Sequence, residues 1–230
     1  MPSPALAKLD TAGVSTTDQV FDALYRAVLT FELPPGAQIS EAEISTRLDV
    51  SRQPVRDAFF RLSKLGFLLI RPQRPTLVTK ISQTAVRQSA FIRTAIEIAC
   101  IRAATEHATE ADFAALEGML ARQDEAIGAR DSERFHVEDD AFHRRICAAA
   151  GEAHAWRLIQ EQKAHMDRVR FLSLTFNRDE AWREHAAILG ALRDRDPDAA
   201  EAALRAHLER IHVMLPQIRA AHQEHFEEDT

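Results

Sequence analysis

Apolar residues recur at helical spacing over most of this chain. Between Thr17 and Phe31, Val20, Phe21, Leu24, Val28 and Phe31 fall three and four apart, the stripe of an amphipathic helix. Leu33-Pro34-Pro35-Gly36 ends it, because prolines cannot continue a helix and Gly36 suits a turn. Ser40-Glu41-Ala42-Glu43 has the capping-box pattern and opens a short helix that stops near Leu48. After the tight turn at Asp49-Val50, Ser51 caps a third helix running to about Leu65. Its Pro54 lies in the first turn, where a missing N–H costs little, and Val55, Phe59 and Leu62 face inward. Gly66 stops it. The period then changes. Phe67-Leu68-Leu69-Ile70-Arg71 and Thr76-Leu77-Val78-Thr79 are apolar and β-branched, and Pro72-Gln73-Arg74-Pro75 joins them as a hairpin.

From Thr84 the helical period returns and predicts six helices, at about 84–108, 110–128, 131–150, 153–175, 179–194 and 197–223. Thr109 and Asp131 are start signals, Gly151 is a stop, and Pro197 is a first-turn proline. Short connections favour antiparallel neighbours in a bundle. The expected fold is mainly α. A winged helix-turn-helix of three helices and a small β-hairpin spans 17–80, and an all-α antiparallel bundle of about six helices spans 84–223. Residues 1–16, rich in Pro, Ser and Ala and without periodicity, are expected to be a flexible tail.

The charge balance sharpens this division. The 230-residue chain has a net charge of −6, which argues against nucleic acid. Residues 1–80, however, carry ten Lys/Arg against eight Asp/Glu, a net of +2, and residues 81–230 carry 19 against 27, a net of −8. Within 40–80 the count is eight basic to four acidic. A basic segment beside an acidic body fits a small DNA-binding module on a larger domain that does not bind DNA. No run of 18 apolar residues predicts a membrane span, and MPSPALAKLD lacks the apolar core of a signal peptide. Two cysteines, Cys100 and Cys147, outside any CxxC pattern, suit a reducing cytoplasm.

Two constellations carry chemistry. At the start of the third helix, Ser51, Arg52, Gln53 and Arg56 form the end that enters a major groove in proteins of this architecture. Arg pairs bidentately with guanine and Gln with adenine. Arg52 and Arg56 are four apart and share a face away from Val55 and Phe59. Ser51 and the helix-start N–H groups can hold a phosphate, and Arg74 at the wing tip can reach the backbone or minor groove. Arg61, Lys64, Arg71 and Lys80 are further candidates for phosphate contacts. A lone Arg is ordinarily just a solvated helix face; the ordered run of capped helix, turn, basic helix start and basic hairpin is far more specific.

In the second half, Asp139 and His143 are four apart, on a face that also carries Phe135, Phe142, Ile146 and Ala150. His185 shares a stripe with Trp182, Leu189 and Leu192, and His207 with Leu204, Leu208, Ile211 and Met214. Three inward imidazoles and one carboxylate suit a divalent ion: zinc first, with nickel, manganese or iron(II) as alternatives. The competing reading is hydrogen-bonded core histidines, and Asp140, three before His143 and four after His136, is a rival carboxylate for a surface network.

Leu33-Pro34-Pro35-Gly36, Ser40-Glu41, Val50-Ser51-Arg52-Gln53-Pro54-Val55-Arg56-Asp57-Ala58 and Leu62-x-x-Leu65-Gly66 together resemble the DNA-binding domain of the GntR family. The resemblance implies that Arg52 and Arg56 read bases, that Ser51 and Gln53 support them, and that the wing touches the minor groove. The chain departs from the pattern in having Ala42 where many members have Arg, and Gln73-Arg74-Pro75 in place of a wing-tip Gly. Residues 84–223 resemble the FCD-type ligand-binding domain through Arg93-x-x-Ile96-Glu97, Asp139-x-x-Phe142-His143, Glu184-His185 and Ala206-His207-Leu208. That likeness puts the metal ligands on Asp139, His143, His185 and His207 and an effector carboxylate on Arg93, whose planar fork matches a carboxylate. An Arg93–Glu97 ion pair is the other reading of Arg93. A count of six helices resembles the vanillate-regulator-like branch, and Gly151-Glu152 stands where Gly-Asn is usual.

The implied protein is a cytoplasmic homodimer and not an enzyme, a repressor-type regulator that binds palindromic operator DNA and responds to a small organic acid. The alternatives are a metal-dependent enzyme on a helical scaffold, which leaves the basic winged segment unexplained, and an interaction module that binds no DNA.

Overall fold

The computed structural model describes residues 15–174 and 177–228. The expected tail therefore lies outside the described residues except at its last two positions, which cap and begin the first helix. Ser15 caps α1 (Thr16–Leu29), its Oγ accepting from the Asp18 N–H. α1 ends two residues before the sequence pattern does, at Phe31, which holds φ at 63°.

The chain divides into two compact units. Among the described residues, one comprises 15–83 together with 222–228, and the other 84–221. In the first unit α2 (Glu41–Leu48) and α3 (Arg52–Lys64) follow α1, and α1 and α2 both pack on α3. Val20, Leu24, Val28, Ile44, Val55, Phe59 and Leu62 are buried, the apolar stripes already visible in the sequence. Ser40 accepts from the Glu43 N–H at 3.1 Å and starts α2. Asp49, in the left-handed conformation at φ 55°, closes it and makes the tight turn into α3.

The hairpin is part of a three-stranded sheet. β1 (Gln38–Ile39) precedes α2, β2 (Leu68–Leu69) and β3 (Thr76–Val78) form the wing, and the order is β1-β3-β2, all antiparallel. β1 is an addition to the two expected strands. Gln73 takes φ 57° in the wing turn, the left-handed conformation that glycine adopts without a Cβ penalty. The turn is held by Arg71, whose guanidinium donates to the Pro75 carbonyl at 2.8 and 3.1 Å.

Among the described residues the second unit holds seven helices where the pattern predicts six: α4 (Gln83–His107), α5 (Glu110–Gly128), α6 (Ser132–Ala149), α7 (Ala153–Gln162), α8 (Ala164–Ser173), α9 (Arg178–Arg193) and α10 (Pro197–Ala221). The count that resembles the vanillate-regulator-like branch therefore does not hold. The expected 153–175 helix breaks at Lys163, which is 2% exposed. Its ammonium turns inward, 2.6 Å from Asp140 Oδ2 and 2.8 Å from Asp167 Oδ2, and that inward turn coincides with the break. The second unit also ends at 221 rather than 223, because the chain beyond it packs with the first unit. Ile101, Phe113, Leu116, Phe142, Ile146, Trp156, Ile188, Leu192 and Leu204 make a continuous core. Cys100 and Cys147 are buried free thiols within it. No described helix is long and apolar enough to cross a membrane.

Candidate functional site

The four residues singled out in the bundle come together. Asp139 and His143 lie one turn apart on α6, His185 on α9 and His207 on α10, and one donor atom of each lies within 4.8 Å of all the others. Nε2 of His207 is 3.2 Å from Nε2 of His143 and 3.3 Å from Nε2 of His185. Asp139 Oδ1 is 3.5 Å from His185 Nε2, and its Oδ2 is 4.0 Å from His143 Nε2. Phe142 stacks on the His185 ring at 4.7 Å and fixes its plane.

The opposite edge of each imidazole is tied down. His143 Nδ1 lies 2.6 Å from Glu97 Oε2, His207 Nδ1 lies 2.8 Å from Glu184 Oε2, and His185 Nδ1 lies 2.8 Å from Gln123 Oε1. Carboxylate oxygens only accept, so Nδ1 of His143 and His207 carries the proton and Nε2 presents a lone pair. The Gln123 carbonyl does the same for His185. Burial pushes all three imidazoles below their ordinary pKa, and for His185 and His207 the neighbouring rings push further. Three neutral rings thus aim lone pairs at one point with no proton to share. An ion about 2.1 Å from each of two nitrogens holds them about 3.0–3.4 Å apart, from right-angled to tetrahedral geometry. The observed spacings lie in that range, so the donor set fits a divalent cation. Gln123 and Glu184 were missed as partners in the sequence; only the adjacency of Glu184 to His185 hinted at one of them.

A polar network flanks the cluster. Arg170 on α8 binds Asp139 Oδ2, and its other nitrogen lies 3.0 Å from Asp140 and 3.1 Å from Asp167. Asp140 is therefore not the surface carboxylate expected: Lys163 and Arg170 draw it into a largely buried network. His136, Asp140 and Asp167 also lie close enough to hold an ion, but Lys163 already supplies the cation between the two carboxylates.

A cavity of about 60 Å³ opens beside the cluster, between Arg93, Asp139, Arg170, Asn177, His207 and Arg210. Arg93 is 4% exposed. The ion-pair reading of this residue is what the geometry shows: Nε donates to Glu97 Oε1 at 2.5 Å, while Nη2 is buried without a hydrogen-bond partner. Asn177 contributes the complementary group, a buried Oδ1 with no donor. Glu152 is exposed, lies 3.2 Å from His154 Nδ1 and does not line the cavity.

In the first unit, Ser51, Arg52, Gln53 and Arg56 are all exposed at the start of α3. Ser51 occupies the N-cap position but its side chain makes no cap hydrogen bond, contrary to the capping role expected of it. The hydroxyl and the first-turn N–H groups are left for another acceptor. Arg52 has no hydrogen-bond or ion-pair partner among the described residues. Arg56 forks onto Glu41 at the start of α2, at 2.9 and 3.2 Å, and Gln53 donates to Asp57 at 2.9 Å. With Arg56 60% exposed, this ion pair is weak enough to be exchanged for a base edge. Arg74 is exposed at the wing tip. Arg61 pairs with Asp18 at 2.6 Å and covers Phe21, and Arg71 holds the wing turn.

Comparison with known proteins agrees with this layout. Residues 16–78 match the model of bacterial regulatory proteins of the gntR family, and residues 88–210 match the FCD domain. The chain is 39% identical over 213 residues to the HTH-type transcriptional repressor RspR of Escherichia coli strain K12, covering 92% of this chain and 93% of that one. It is 30% identical over 198 residues to a probable D-xylose utilization operon transcriptional repressor of Paenarthrobacter nicotinovorans, covering 84% and 86%. Among solved structures, Escherichia coli McbR/YncC superposes with a TM-score of 0.77 at 23% identity, over 89% of this chain and 99% of that one, which speaks to the fold. The exposed basic helix start, the wing and the helical unit with its His/Asp cluster are the parts of one known design: the chain belongs to the gntR family of bacterial transcription regulators, in the group that carries an FCD domain.

Proposed function

We propose that this regulator is a repressor that binds palindromic operator DNA as a homodimer and is released or reset by a small organic acid bound beside a divalent metal. The observation that carries the DNA-reading part is the exposed start of α3, where Arg52 and Arg56 lie on one face. Arg52 and Arg56 read guanines, Gln53 reads or supports, Ser51 and the helix N-terminus hold a phosphate, and Arg74 tracks the backbone or minor groove.

Asp139, His143, His185 and His207 would hold the metal, zinc in the first instance, with nickel, manganese or iron as alternatives. When bound, it supplies a Lewis-acidic centre with positions open to an oxygen ligand. The chain's own residues do the rest. Glu97, Gln123 and Glu184 hold the three rings in the tautomer that presents Nε2. The free edge of Arg93 takes the effector carboxylate. Asn177 Oδ1 accepts from a hydroxyl or amine of the same ligand. The effector alters DNA binding only by favouring one pose of the paired DNA-binding units over another. We read the chain as a cytoplasmic regulator and not as an enzyme.

Selection of bound duplexes from a random DNA pool by the full-length protein tests this reading. Enrichment of a two-fold symmetric site, lost in an Arg52→Ala/Arg56→Ala variant, is the expected result. Recovery of unrelated sequences would contradict it.

A further inference from the structure

The described chain beyond Ala221 leaves α10 and joins the DNA-binding unit. It turns at His222, makes one 3-10 turn over Gln223–His225 and becomes extended at Phe226. There it forms a single parallel bridge with Ile81. The Ile81 N–H donates to the His225 carbonyl at 2.8 Å, and the Glu227 N–H donates to the Ile81 carbonyl at 3.0 Å. Phe226 is 2% exposed and Ile81 is fully buried. The His225 ring stacks on Phe31 at 4.8 Å, and Phe31 holds a left-handed φ of 63°, a conformation costly for an aromatic residue unless its surroundings enforce it.

The chain thus passes between its two units twice, after Gln83 and after Ala221, and the segments flanking the two crossings are hydrogen-bonded to each other through Ile81 and Phe226. The second crossing is the direct continuation of α10. That helix carries His207 of the ligand cluster and the cavity residues Arg210 and Met214. Pro216 lies inside it, between Met214 and the crossing, and removes one backbone hydrogen bond there.

We propose that residues 222–227 are a strap by which α10 reports occupancy of the metal site to the DNA-binding unit. The inference rests on the metal reading given above. Ion binding fixes His207 and hence α10, and the covalent continuation of that helix sets the strap against Ile81, two residues before the start of α4. The coupling needs the ion to favour one strap position over another.

The test is amide hydrogen exchange on the full-length protein, chelator-treated and then loaded with zinc alone, with zinc counted by elemental analysis. The expected result is one zinc per chain and a change of about fivefold or more in exchange at Ile81 and Glu227, the low end of ordinary coupling. Phe226→Ala should keep zinc uptake and lose the response at Thr79–Gln83. Glu227→Pro, which removes the donor to Ile81 and spares the Phe226 side chain, should do the same if the first variant folds poorly. His207→Ala should abolish the response. A response that survives in His207→Ala would mean that zinc acts on His222, Glu224 and His225 of the strap itself, and overturns the proposal. Unchanged exchange in a protein holding one zinc overturns the strap and leaves the metal reading intact. Absence of zinc uptake overturns both.

Discussion

His143 and His207 face each other through Nε2 atoms 3.2 Å apart, and the proton of each ring is engaged on the far side by Glu97 and Glu184. Two lone pairs at this distance repel unless a cation lies between them, and the geometry is that of two ligands to one ion. Glu184 is the cleaner member to alter, because its other partner, Arg210, also binds Glu180. Glu184→Gln should weaken zinc binding about 10–100-fold with the fold retained. Competition titration against a chromophoric chelator measures this, and an unchanged affinity would count against the role of Glu184.

Metal should also stabilise the helical unit. Free zinc at about 100 times its dissociation constant adds about 2.7 kcal/mol to a protein that binds it only when folded. Denaturant melts with and without zinc should differ by this order in the native chain and not at all in His207→Ala.

His136 gives a pH signature separate from the ligand cluster. It is 3% exposed, neither ring nitrogen has a hydrogen-bond partner, and burial pushes its pKa down to about 3. A base with a depressed folded pKa binds fewer protons folded than unfolded, so its contribution is fully present above about 6.5 and is lost as pH falls toward 3. Asp167, raised to about 6 by burial, acts in the opposite sense between its ordinary value and 6. The difference between native chain and His136→Leu isolates the histidine. The variant should be as stable as the native chain or more so at pH 7, since an unpaired buried polar group is removed. It should gain further relative stability, about 1.4 kcal/mol per pH unit, as pH drops below 6.5. Parallel stability curves for the two proteins would refute this.

Arg93 cannot simply be deleted, because Glu97 would be left as an uncompensated buried charge. Arg93→Lys keeps a cation for Glu97 and removes the free fork. It should lower the affinity for small carboxylates about tenfold or more while zinc content stays at the native level, as read by calorimetry on zinc-loaded protein.

Much of this was legible in the sequence because the signals are local. The Ser40 and Thr109 caps, the Gly151 stop at φ 81° and the apolar stripes each act within a turn or two of chain. The convergence of His143, His185 and His207 could be anticipated because each lies on an apolar helix face. What was not legible depends on partners far along the chain. β1 has two residues, too few for a period, and exists because β3 offers it an edge. The break at Lys163 needs Asp140 and Asp167 around one ammonium. Gln123 and Glu184 become partners of histidines only once three helices pack, and the Ile81–Phe226 bridge joins residues 145 positions apart in the chain.

The central claim is that the exposed start of α3 reads DNA, and operator affinity tests it most directly. Each good bidentate base contact is worth about 1–3 kcal/mol. With a duplex enriched by the native protein, Arg52→Ala/Arg56→Ala should raise the dissociation constant to the level of unrelated DNA while leaving the thermal melt unchanged. Equal affinity of the native and doubly substituted proteins for that duplex would contradict the account.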